Sequence, residues 1–177
     1  SGDLSSVGIN TLQRERVLRI LEGVNRLRRV LIGLSRQHTD TILPGYSFGQ
    51  HAQPMTLAHL WLSWAANLAR DFDRLHGVYR RVNTSPAGAA IMVGSDFPLN
   101  RTRTAELLGF DAIHENMADA ILELNADDSL DVPMAVAILY HTMAKWADDL
   151  ILWSTSEFNF VDIPDRFCNT SSIMMQK

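Results

Sequence analysis

The sequence predicts an all-α fold: an elongated bundle of long helices. Two observations predict it. Apolar residues recur at three- and four-residue steps over three long stretches, the signature of helices with one buried face. No segment suggests strand pairing. A chain of 177 residues with 46% apolar content can bury one sizeable core, which argues against general disorder.

The first helix is expected over residues 10–37. Val17, Leu18, Leu21, Val24, Leu27, Leu31 and Leu34 form its stripe, and Arg14, Arg16, Arg19, Arg26, Arg28 and Arg29 its other faces. The arginines read as a solvated helix face rather than a phosphate-binding patch. Pro44-Gly45 then breaks the chain. A second helix is expected over residues 56–82, capped by Thr56. Its stripe is Leu57, Leu60, Trp61, Trp64, Leu68, Phe72 and Leu75. Trp61 and Trp64 face alike and read as helix packing.

Residues 83–100 differ in kind. Ser85-Pro86-Ala87-Gly88-Ala89-Ala90 is rich in small residues that let backbone approach a ligand or another chain closely. Shorter helices are expected over residues 102–108, stopped by Gly109, and 114–125. A third long helix is expected over residues 131–154. Asp131 is its candidate cap, Pro133 lies in its first turn, and Val132, Val136, Leu139, Met143, Trp146, Leu150 and Trp153 form its apolar face. Asp148 and Asp149 oppose the dipole at its far end and invite pairing with another helix. A polar, aromatic connector follows.

Composition limits the function classes. A net charge near −4 gives no reason to expect nucleic acid. No apolar run spans a bilayer and no secretory leader is present, which reads as a cytoplasmic protein away from membranes. The single Cys168 excludes an internal disulfide framework and reads as a neutral loop or core residue. His59 and His76 have no acidic or Cys partner at metal spacing, so no metal is expected.

Five blocks in order carry a resemblance. Thr41-Ile42-Leu43-Pro44-Gly45-Tyr46-Ser47-Phe48-Gly49-Gln50-His51-Ala52-Gln53-Pro54 matches a stretch of the form Thr-Ile-x-Pro-Gly-Tyr-Thr-His-Leu-Gln-Arg-Ala-Gln-Pro. Arg80 to Ala89 matches Arg-x-Asn-x-Ser-Pro-Leu-Gly-Ala, and Phe97-Pro98-Leu99-Asn100-Arg101 matches Phe-Pro-Ile-Asp-Arg. Leu150 to Phe158 matches the run before a signature loop, and Ser171-Ser172-Ile173-Met174 to Lys177 matches the loop itself, Gly-Ser-Ser-x-Met-Pro-x-Lys. The sequence resembles the fumarase/aspartase superfamily, and the argininosuccinate lyase family most.

The resemblance implies residues 1–177 as part of a central helical domain, with 155–177 as connector and truncated signature loop, cut from a longer lyase. It implies a homotetramer whose active sites form where three subunits meet. The reaction implied is reversible anti elimination, commonly releasing fumarate from a dicarboxylate, with no metal or organic cofactor. Residue by residue, it implies Ser171 as the base, Lys177 as a substrate-carboxylate binder, and Asp3, Ser47, Gln50, Asn83 and Ser172 as substrate-binding positions.

Several positions depart from the family pattern. Phe48 replaces the His used near the leaving group, and Phe cannot move a proton. His51 replaces Arg and is the only nearby candidate for acid–base work. Gly2 replaces a substrate-contacting Asn, Thr170 replaces Gly and Met175 replaces Pro in the loop. Near Asn116, only Asp119-Ala120 retains part of a further block, whose Arg has no match. The first expectation is an argininosuccinate-lyase-type enzyme, inactive as this piece alone. The alternatives are a lyase for another substituted succinate, or a non-catalytic homologue that retained the bundle.

Overall fold

The computed structural model describes residues 2–122 and 127–174. The described residues form five α-helices: α1 (Gly2–Gln37), α2 (Leu57–Val82), α3 (Arg101–Leu108), α4 (Met117–Leu122) and α5 (Asp127–Trp153). Between them lie strands β1 (Ile42–Ser47), β2 (Gln50–Thr56), β3 (Thr84–Ser85) and β4 (Ala112–Ile113). The chain divides into two compact units, Ser1–Leu139 and Tyr140–Lys177.

The first unit is organised by α1 and α2. Val17, Leu21, Val24 and Leu31 of α1 are buried, as are Trp64, Ala65, Leu68, Leu75, Val78 and Val82 of α2. Apart from the adjacent Trp64 and Ala65, the spacings are three, four and seven residues, which keep each stripe on one side of its helix. The two helices run antiparallel, as contacts at both ends show. At one end the Ala58 amide donates to the His38 carbonyl, and His38 meets the Trp61 ring edge-on at 5.1 Å. At the other, Asn10 donates to the Thr84 carbonyl and Arg14 to the Asn83 side chain.

Local signals set the helix ends. The Thr56 hydroxyl accepts from the His59 amide, which is the expected cap of α2. Asn100 caps α3 by accepting from Arg103, and Gly109 closes it in the left-handed region at φ 71°. The terminal segment of the second unit wraps the end of α5. The Phe160 and Val161 amides donate to the Trp153 carbonyl, and buried Trp153 packs against Phe160 with ring centroids 6.4 Å apart. A 3-10 turn at Asp165–Phe167 precedes exposed Cys168.

Several expectations need correction. Strands do pair: β1 and β2 form an antiparallel hairpin, and β3 and β4 a short parallel pair. Pro44 and Pro54 face each other across the hairpin, where a two-stranded ribbon leaves both strands with a free edge that tolerates proline. Helix α1 begins at Gly2 rather than near residue 10. Its first turns bury Ser6 and Asn10, polar residues that an apolar count overlooks. Helix α5 begins at Asp127, so Asp131 is no cap but the ion-pair partner of Arg81 on α2, and Pro133 lies inside the helix. The short fourth helix starts at Met117, since Ile113 is in a strand and the Asn116 side chain accepts from the Ala118 and Asp119 amides. Its expected end, near Asn125, lies outside the described residues.

Arg14 is a further correction to the solvated-arginine reading. Its guanidinium donates to the Asn83 side chain at 2.9 Å, the Gly109 carbonyl at 2.6 Å and the Leu108 carbonyl at 2.9 Å, and lies 4.5 Å over the Phe110 ring. A cation at the carbonyl end of α3 is where the helix dipole favours one. Asp148 and Asp149 are absent from the ion pairs seen among the described residues.

Candidate active site

Ser171 lies in the second unit, after the 3-10 turn. It is half-buried, and its hydroxyl oxygen accepts from the Ile173 amide at 3.4 Å and the Met174 amide at 3.0 Å. Two backbone donors directed at one oxygen stabilise negative charge there. Ser172 beside it is exposed. Lys177 and Met175 lie outside the described residues.

The β1–β2 hairpin carries Ser47, Gln50 and His51. A two-residue turn, Phe48-Gly49, joins the strands with φ of 52° and 73°. Positive φ at both positions is the turn that matches strand twist, and Gly49 adopts it without strain. Ser47 pairs with Gln50 and Tyr46 with His51, and all four side chains are exposed or nearly so. The Tyr46 hydroxyl and His51 Nε2 stand 3.3 Å apart.

Asp3 and Asn83 sit at the other end of the helix pair. The Asp3 carboxylate accepts from the Gly88 amide at 3.1 Å, and its second oxygen is buried. Gly88 has φ 79°, and a Cβ there would come within 2.8 Å of Arg101 Cγ. Arg101 donates in turn to the Ala87 and His114 carbonyls at 3.0 and 2.7 Å. The small-residue segment is thus a close-packed turn held from both sides. A pocket of about 280 Å³ opens beside it, lined by Asp3, Leu4, Gly88, Leu99 and Arg101 among others. Asn83 is 1% exposed, and its side chain accepts from Arg14 and donates to the Tyr79 hydroxyl at 3.3 Å.

These residues do not all meet within one chain. Helix α2 has 26 residues and spans about 39 Å between Thr56 and Asn83. Strand β2 could return at most about 20 Å of that, at roughly 3.3 Å per residue. Ser47 and Gln50 therefore stay about 20 Å or more from Asn83, further than a small dicarboxylate reaches. Sequence reasoning did not foresee the contacts of Arg14 and Tyr46. Nothing in the spacing of Arg14 separates it from the arginines around it, whereas Tyr46 stood inside a matched block.

On α5, burial first and the neighbouring Asp148 carboxylate second push the Asp149 carboxyl above the usual carboxylate range. Among the described residues no group of three or more His, Cys, Asp or Glu is arranged to hold a metal ion, and no helix is long and apolar enough to cross a membrane.

Residues 1–177 match a protein family described as lyase. The argininosuccinate lyase of Methanosarcina barkeri is 43% identical over 169 residues, which are 96% of this chain and 34% of that protein. The argininosuccinate lyase of Psychrobacter cryohalolentis is 42% identical over 175 residues, 99% of this chain and 38% of that protein. Among solved structures, EDDS lyase in complex with formate superposes with a TM-score of 0.95 at 34% identity, over 99% of this chain and 35% of that one. A class II fumarase from Schistosoma mansoni, at 18% identity, 99% of this chain and 42% of that one, shares the fold with a TM-score of 0.79. The chain spans about a third of the length of the curated relatives it matches.

Proposed function

Because the chain belongs to the lyase family, as a member of the fumarase/aspartase superfamily, we propose that the whole protein is a carbon–nitrogen lyase of argininosuccinate-lyase type, releasing fumarate from a substituted aspartate by anti elimination. The observation that carries the reading is the pair of amides directed at Ser171 Oγ. The proton to be removed lies beside a carboxylate and is weakly acidic, so the reaction needs a strong base and a way to hold the resulting dianion. A serine hydroxyl is a poor base in water. Two backbone donors favour its alkoxide, and closure of the loop over substrate would exclude the water that competes with them.

The roles of the remaining residues follow from their surroundings. Ser47, Gln50 and Ser172 are exposed and form the substrate-facing set, with Lys177 on a substrate carboxylate. Asp3 and Asn83 hold the wall of the site, since their hydrogen bonds run to Gly88, Arg14 and Tyr79. The distance between the two ends of α2 supports a site built from more than one copy, and a homotetramer is the assembly proposed. No step in this scheme is routed through a metal or an organic cofactor. A cytoplasmic location suits a metabolic lyase.

A second reading, a lyase for a different substituted succinate, is favoured by Phe48 at the hairpin tip and by the likeness to EDDS lyase. Fumarate absorbance tests both, with the whole protein offered argininosuccinate and a panel of other aminosuccinates. Release of fumarate from at least one is expected, and Ser171→Ala should lower it by about 10²-fold or more. Undiminished turnover by Ser171→Ala would remove that residue as the base. No fumarate from any member of the panel would overturn the reading itself.

A further inference from the structure

The C-terminal half of α5 has one covered side and one open side. Trp146 and Trp153, seven residues apart, are buried on the first. His141, Ala144, Asp148 and Ile151 follow one another at steps of three and four residues and lie on the opposite side. All four are exposed, Ile151 by 62%. Charge along this open side is ordered. The basic side chains, His141 and Lys145, come first, and the acidic ones, Asp148 and Asp149, follow. Lys145 stands three and four residues before the two carboxylates, close enough to pair with them along the helix. Yet among the described residues neither carboxylate is in an ion pair, and Lys145 is in none either.

We infer that this open side is the surface on which two copies of the chain pair, their α5 helices antiparallel about a two-fold axis at Ala144. The inference rests on the assembly of copies proposed above and not on the chemistry at Ser171. The order of charge argues for both the occupant and its direction. A two-fold axis makes a surface its own partner, so every contact occurs twice. Ala144 lies three residues after His141 and four before Asp148. Antiparallel about that point, His141 of each copy stands beside Asp148 of the other, and Lys145 reaches the same carboxylate on its flexible stem. A parallel pair would set Asp148 against Asp148 and the basic side chains against each other, which costs free energy. An unrelated helix would need the reversed order of charge by coincidence, whereas a second copy carries it already. Ala144 at the crossing has only a methyl group, so the axes can come together at the near end of the usual range of about 8–10 Å. Ile151, at the end of the stripe, then leaves water.

The test uses the whole protein, with light scattering along a dilution series. Lys145→Glu and Asp148→Lys each make the surface more nearly one sign, and each alone should weaken association at least about 10-fold. Mixed in equal amounts, the two variants should associate about as tightly as the parent. Both positions are exposed, and circular dichroism checks that the helices persist. A pair of single cysteines in a Cys168→Ala background tests the direction without any charge reversal. His141→Cys and Asp148→Cys chains should form a disulfide dimer under mild thiol oxidation only when mixed. Like positions would lie about 10 Å apart along the antiparallel axis at 1.5 Å per residue, beyond the Cα separation of about 7 Å that a disulfide spans. Dimers from either cysteine chain alone mean a parallel pair and overturn the inference. Charge variants that each keep the parent's association, or a mixture that fails to restore it, overturn it too. A whole protein that stays monomeric overturns it together with the proposed assembly, and fumarate release, measured separately, still decides the lyase reading.

Discussion

At the scale of residues, Arg14 shows how one side chain can fasten three segments. It joins α1 to the end of α3 and to Asn83 just beyond α2. Arg14→Ala removes those bonds and leaves the buried Asn83 oxygen without its donor. Hydrogen bonds to a charged group contribute about 1.5–3 kcal/mol, and an orphaned buried acceptor costs about as much. A loss near 3 kcal/mol is expected in urea unfolding, as a lower midpoint with an unchanged slope. An unaltered midpoint would mean that the solvated-face reading was right for this arginine after all. Asp149 gives a prediction of opposite sign. Its folded-state carboxyl titrates above its unfolded value, so ionising it favours the unfolded chain. The stability it contributes is fully present below about pH 4, the ordinary carboxylate value, and is lost as pH rises through the raised one. Asp149→Asn should therefore raise Tm at pH 7, with the gain shrinking toward pH 4. A gain that grows as pH falls would show that the assigned direction is wrong.

At the scale of elements, helices were legible where apolar periodicity and capping agreed. Thr56 and the stripe from Leu57 to Leu75 fixed α2 nearly to the residue. The cap is worth about 1 kcal/mol, so Thr56→Ala should lower stability by that amount in thermal or urea unfolding, and Thr56→Ser should not. The errors fall where short-range signals carry a second meaning. Pro44 and Gly45 read as breakers, yet they lie in a ribbon in which neither strand needs a full set of donors. Pro133 read as a first-turn residue, yet it is exposed inside α5, near solvent that can serve the carbonyl it leaves unpaired. The site was legible in a different way. Matched blocks singled out Ser171, Ser47 and Gln50 as candidates, but no spacing could reveal the Tyr46–His51 contact, which arises only once the hairpin sets its register.

At the scale of the whole molecule, the issue is where a complete site can form. One chain keeps Ser47 and Gln50 about 20 Å or more from Asn83, by the lengths of α2 and β2. Helix α5 also exposes large apolar side chains along its length, with Leu130, Met134, Tyr140 and Ile151 each more than 60% exposed. A helix apolar on several faces is one that another surface covers. Both observations lead to the same expectation: turnover belongs to the assembly rather than to the single chain. The check is a dilution series of the whole protein, with light scattering following mass and fumarate absorbance following rate. Activity per chain should stay constant while the four-chain mass persists and fall toward zero as monomers replace it. Concentrating the sample should restore both together, since reassembly rebuilds the site from intact chains. A monomer that keeps its full turnover would mean that one chain completes the site by itself, and the residues at the two ends of α2 would then have to serve different purposes.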